Sequence, residues 1–289
     1  MLPVKKIFVD TAFKTPDSRS NSDFRFELAE SLTMPEDCVF YVDDVCVPHS
    51  WYTVEPGVND RLYVHIGSTI GNVDIAPDVG VIVTLPSKIY TGADLAAEIS
   101  LGLNAASPGH FVGAIFAVTY DAAKHTISIA SLDFTMTFQI LTTGDLATKL
   151  GGGWFGANYD ARRPNDINGD MLKQTEGSAA THGHGNPWTS GVISLQPIRS
   201  LYLYSPNLGS FHTLGPSGEA SIIKAIPVTA GPNHMIFDQV MSGNDYLDCS
   251  KQTLRMLEFQ LKDVHGNLVP LHGSHLSFSL VFDIVDTSS

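Results

Sequence analysis

The pair His182-Gly183-His184 has the spacing in this sequence closest to a metal-binding motif. Two imidazoles two residues apart suit a borderline divalent ion. A structural zinc site wants about four ligands, and no nearby cysteine or carboxylate pair completes one. Thr181-His182-Gly183-His184-Gly185 therefore reads as a flexible loop carrying solvated histidines. Asp43-Asp44, with Asp37, offers the oxygens that calcium prefers, but no D-x-D-x-D-G loop frames them. Carboxylates that bond local backbone at a bulge or turn are the simpler reading. Asp160, Asp166 and Asp170 share no fixed face, so a catalytic carboxylate pair is unsupported. Gly151-Gly152-Gly153 lacks the lysine that follows a phosphate loop and reads as a helix terminator. No G-x-S-x-G elbow occurs. The expectation is no catalytic residue, no metal and no cofactor.

Contact residues are the remaining candidates. Trp154, Phe155 and Trp188 fall in a stretch where nothing obliges them to be buried within one subunit. Aromatic side chains are enriched where proteins bind each other, so these three are the interface candidates. Trp51 sits in a strand pattern and is assigned to the core. Lys5-Lys6 is a weak basic cluster.

The balance of the chain fits contact better than catalysis. Of 289 residues 43% are hydrophobic, enough for a large core, while only 16% are charged, below the usual quarter. A surface so poor in charge is expected to be covered by neighbours. The net charge of −13 disfavours wrapping nucleic acid or binding an anionic membrane. No window approaches the ~18 apolar residues of a membrane span, and the start Met1-Leu2-Pro3-Val4-Lys5-Lys6 has no signal-peptide pattern. Three cysteines, Cys38, Cys46 and Cys249, are odd in number and lack C-x-x-C spacing. Reduced, buried thiols in an intracellular assembly are expected.

The elements that would carry these residues are mostly strands. Phe24, Phe26 and Leu28 alternate with Arg25 and Glu27, the mark of a half-buried strand. Cys38 to Val47 is β-branched and aromatic, with Asp43-Asp44 as a bulge or interruption. Trp51 to Val54, Arg61 to Ile66, Val192 to Leu195, Arg199 to Tyr204, Glu219 to Val228 and Met235 to Asp238 read as further strands, and Leu254 to Asp263 and Ser277 to Val285 as two closing ones. Between them, Tyr90 to Asn104 is a helix, with Thr91 and Asp94 as its capping box and Leu95, Ile99 and Leu103 as its apolar stripe. Phe116 to Ala130 reads as a hairpin, Phe138 to Leu141 as a short strand, and Gly144 to Leu150 as a short helix. The chain is expected to be mainly β: a single jelly-roll sandwich with an inserted small α+β domain. Residues 1–78 form its first half, 79–150 the insert, 151–191 a long irregular loop, and 192–289 the second half.

Asp23 to Leu28, Phe40 to Val45 and Pro48-His49-Ser50-Trp51-Tyr52 together resemble the penton-type minor capsid proteins of virophages, Polinton-like viruses and related eukaryotic double-stranded DNA viruses. Ile89 to Leu95 with Phe138 to Thr142 resembles the helix-bearing insert of some of them, and Leu261 to Asn267 with Leu280-Val281-Phe282 resembles their closing strands. The resemblance implies a jelly roll, a homopentameric capsomer at the icosahedral vertices, and contacts to the major capsid protein and to other minor capsid proteins. It implies a virion location, with assembly inside the host cell. Other readings are a cement or spike-base protein of the capsid, or a receptor- or carbohydrate-binding β-sandwich on the virion surface.

Overall fold

The computed structural model describes residues 5–70, 73–106, 115–141, 171–172, 181–208, 213, 215, 218, 220–239 and 245–284. In chain order the first strands are β1 (Lys5–Asp10), β2 (Asp23–Thr33), β3 (Cys38–Pro48), β4 (Arg61–Ile70) and β5 (Val73–Thr84), followed by helix α1 (Gly92–Ala106). Next come β6 (Phe116–Asp121), β7 (Thr126–Ser131), β8 (Met136–Ile140) and the two-residue β9 (His182–Gly183) and β10 (Trp188–Thr189). The last are β11 (Ser200–Tyr204), β12 (Ile222–Pro227), β13 (Met235–Asp238), β14 (Leu247–Asp248), β15 (Thr253–Lys262) and β16 (Ser277–Ile284). They divide into two compact units, Met1–Trp51 with Ile198–Ser289, and Tyr52–Pro197.

The first unit is the jelly roll. One sheet has the order β1-β16-β3-β13, with β14 also on β3; the other has the order β12-β11-β15-β2. β13 lies along Val45–Pro48 of β3 and β14 along its Val39 and Phe40, so the two share one lane. Eight antiparallel lanes in two sheets result, the count of a jelly roll. The facing sides interdigitate aromatic rings. Phe259 of β15 lies 5.4 Å from Phe24 within its own sheet and 4.9 Å from Phe278 of the other. Phe40 and Phe282 pack 5.9 Å apart. The alternation of β2 is realised: Phe24 and Leu28 are buried, Phe26 is half-buried, and Arg25 and Glu27 meet Glu258 and Arg255 of β15 at 2.8 and 3.1 Å. Such exposed pairs select register more than they stabilise.

The Asp43-Asp44 bulge is present. Val42 faces Leu280 and Val45 faces Phe278, so both aspartates lie across from Ser279 alone. The doublet turns outward, and the Ser279 hydroxyl donates to Asp44.

The second unit holds the sheets β5-β4-β8-β9 and β10-β7-β6, with α1 packed against β5 and β6. Leu95, Ile99 and Leu103 are fully buried in one core with Leu62, Val64, Phe116 and Phe138. The helix begins at the expected box: the Thr91 hydroxyl donates to Asp94 at 2.6 Å, and the Asp94 amide donates back to Thr91 Oγ1 at 3.2 Å.

Four expectations are corrected. Arg61 to Ile66 is not a jelly-roll strand; it belongs to β4, which pairs with β5 and β8. The division of the chain consequently falls at Trp51/Tyr52 and Pro197/Ile198, where 79–150 was expected as the insert. Alternation tells which side of a strand is buried but carries no information about which sheet receives it. Trp51 to Val54 and Val192 to Leu195 are not strands. They are held by single bonds to separate segments, as where the Ile193 amide donates to His125 O and that of Ser194 to Met171 O. Of the 151–191 stretch, the described part carries β9 and β10. The helix expected over Gly144 to Leu150 lies outside the described residues.

Candidate assembly surface

The residues singled out for chemistry do not converge. Of the two histidines expected on a solvated loop, His184 is on an exposed turn and His182 is not. His182 is half-buried in β9, paired with β8, its ring 5.8 Å from that of Phe138, and burial pushes its pKa down. His184 is exposed; its Nδ1 donates to Ser131 O at 3.2 Å and its ring lies 3.8 Å from Phe134. Asp37 is six residues before Asp43, about 20 Å along an extended chain, too far to share an ion with it. Among the described residues no group of three or more His, Cys, Asp or Glu could hold a metal. The basic doublet is neutralised: Lys5 pairs with Glu30 at 2.9 Å, and Lys6 with Asp43 at 2.6 Å and Asp44 at 3.9 Å. The bonded Asp43 carboxylate raises the Lys6 pKa.

Trp51 is core, as expected, with His49 stacked on it at 4.1 Å. Trp188 is corrected. It is only 2% exposed, held in the second unit's core by the pairing of β10 with Ile129 of β7, and cannot serve as a surface contact. Trp154 and Phe155 lie outside the described residues.

Phe13 and Phe134 are exposed outside the strands, and two further exposed phenylalanines, Phe8 and Phe237, lie on the outer face of the β1-β16-β3-β13 sheet. Register sets their rows. Asp10 faces Ser277, Ser277 faces Cys46, and Cys46 faces Phe237, which places residues of all four strands in line. In the next row Phe8 faces Ser279, beside the Asp44 bulge. Phe8 and Phe237 are 70% and 66% exposed. Between them Ser277, Cys46 and Asp44 floor a depression of about 350 Å³. Small side chains in the middle lanes and aromatic walls on the outer lanes make the sheet concave there.

β13 explains why Phe237 points outward. Its pattern is inverted: Met235 and Phe237 face solvent, while Ile236 and Asp238 face the sandwich interior. Asp238 is held inside by Lys224 of β12, 3.5 Å away, each side chain 7% exposed. The ion pair ties one edge of each sheet to the other across the interior. A charge buried at one position fixes the strand's rotation and obliges its neighbour Phe237 to face out. Sequence reasoning missed both phenylalanines. Ile7-Phe8-Val9 is apolar throughout and hides its faces, and Met235-Ile236-Phe237-Asp238 would normally be read with the phenylalanine inside.

These features define a class: a mainly β protein with a jelly roll, an α-helix-bearing second unit, and an outward-facing aromatic surface on one sheet. No protein-family model matches the chain, and no curated protein does. Among solved structures it is similar to the crystal structure of the selenomethionine-labelled mavirus penton protein, with a TM-score of 0.54 and 11% identity, covering 97% of this chain and 100% of that one. At that identity the likeness is one of fold. Among the described residues no helix is long and apolar enough to cross a membrane.

Proposed function

We propose that this chain is a structural capsid protein, a penton subunit that closes into homopentamers at icosahedral vertices and contacts the major capsid protein, with no enzymatic activity of its own. The observation that carries the reading is the extent of the likeness. It spans nearly all of this chain and the whole of the penton protein, jelly roll and second unit together. The composition supports it, since a surface poor in charge suits a molecule with many neighbours. The exposed Phe8 and Phe237 supply an aromatic contact of the kind that anchors interfaces. Five identical subunits close a ring through a heterologous interface, in which one flank of a subunit meets the opposite flank of the next. Each contact can be modest, because contacts made together add through effective concentration. In this reading the protein is assembled in the host cell and resides in the virion.

Native mass spectrometry across a concentration series tests the proposal. A pentamer that grows with concentration is the expected outcome. A strict monomer at all concentrations, together with absence from vertices in particle images, overturns it.

A further inference from the structure

Cys38 opens β3, and Cys249 directly follows β14, which pairs with β3. The register Leu247↔Phe40, Asp248↔Val39 brings Cys249 opposite Cys38 at the next position. The Cys249 amide donates to Cys38 O at 3.0 Å. The two sulfurs are 3.3 Å apart, and both residues are buried. A hydrogen-bonded antiparallel pair has its Cα atoms about 5.5 Å apart, inside the range a disulfide spans. The third cysteine, Cys46, lies eight positions along β3 on the opposite, outer face and is no partner for either.

We propose that Cys38 and Cys249 are a redox pair that oxidises to an intramolecular disulfide in the presence of a peroxide. The route for the oxidant is a cleft beside Cys38, lined by Lys5, Leu32, Thr33, Met34 and Phe282 and holding about 40 Å³. That is room for a molecule little larger than water, and it excludes an enzyme or a tripeptide thiol. The Cys38 thiol, having lost its proton, attacks one peroxide oxygen; the O–O bond breaks, leaving a sulfenic acid on Cys38 and releasing water. Cys249 Sγ then attacks Cys38 Sγ, its proton leaving with the displaced hydroxyl as a second water. Two thiols lose two electrons and two protons, and one peroxide becomes two waters. The bond links β3, before the second unit in sequence, to a residue 211 positions later. It staples the two sequence-distant halves of the jelly roll together. Burial raises the pKa of both thiols, which slows every reaction that needs the thiolate, the peroxide step and disulfide exchange alike, so oxidation is slow and the narrow cleft decides which oxidant arrives. This inference stands whether or not the chain builds a capsid.

The test is hydrogen peroxide treatment of the folded full chain, followed by intact mass and non-reducing peptide mapping. The expected result is a loss of about 2 Da, the two hydrogens of a disulfide, and a Cys38–Cys249 peptide that a dithiol reductant abolishes. The Tm should rise by about 5–10 °C on oxidation. Cys46→Ser should give the same products. Cys249→Ser should leave a sulfenic acid at Cys38 that a cyclic diketone traps once the oxidised chain is unfolded in denaturant. A chain that gains oxygen at either cysteine without cross-linking, that keeps its mass, or whose disulfide maps to Cys46, overturns the proposal.

Discussion

Lys224 and Asp238 show how one pair of side chains decides what a surface looks like. Each is nearly excluded from water, so removing one takes from the other an opposite charge that solvent cannot replace. Asp238→Ala should cost about 3–5 kcal/mol in urea unfolding, whereas Lys224→Met with Asp238→Leu should recover most of that loss. A histidine supplies a second residue-scale prediction. His49 is buried against Trp51, and burial lowers its pKa, opposed by a hydrogen bond from Nδ1 to Ala230 O. A histidine whose folded pKa is depressed leaves the unfolded chain binding more protons, so stability must fall as pH drops below the ordinary value of about 6.5. The urea midpoint should be lower at pH 5.5 than at pH 7.5. His49→Gln should flatten that dependence, with half-buried His182, whose pKa burial also lowers, adding to what remains. Neither the ion pair nor the stacked histidine was legible in the sequence. Their partners are distant along the chain, and nothing local marks Asp238 as an inward residue.

At the scale of elements, α1 is the part the sequence described best. Its cap, its stripe and its extent are all local, and each was readable from residues within a few positions of one another. The bulge was legible for the same reason: two adjacent carboxylates cannot both lie on the faces that a regular strand would give them without one being turned inward. The closeness of α1 to the sheet was not legible. A Cβ added to Gly102 would lie 2.3 Å from Val83 Cγ1 on β5. In an exposed helix Gly→Ala stabilises by about 1 kcal/mol. Here Gly102→Ala should destabilise by about 1–3 kcal/mol, because a stiff valine on a packed strand has nowhere to go. Thermal unfolding reads the sign directly, and a rise in Tm would contradict the packing described.

For the molecule as a whole, the jelly roll was legible and its boundary was not. The strands announced themselves by alternation, yet β4 alternates as a jelly-roll strand would. Its Leu62, Val64 and Ile66 are committed to the second unit only by β5 and β8. The candidate contact surface was missed because aromatic residues were sought in an irregular stretch, where one of them, Trp188, proved to be core. The surface consists of strand residues that a register argument alone exposes. Phe8→Asp with Phe237→Asp should abolish the larger species in native mass spectrometry while leaving the monomer's Tm within about 2 °C, since surface substitutions cost little. Unchanged assembly would remove this face from the proposed interface.

β16 lies between β1 and β3 and supplies Ser277 to the floor of the aromatic depression. During translation it leaves the ribosome after every other described strand of the jelly roll. β1 therefore waits, unpaired, through the synthesis of more than two hundred residues, and the sandwich cannot shut until that final lane slots in. A polypeptide cut short by early termination lacks the lane that brings Phe8 alongside β3. It has no means of presenting the contact face, so unfinished copies are barred from any structure built through it.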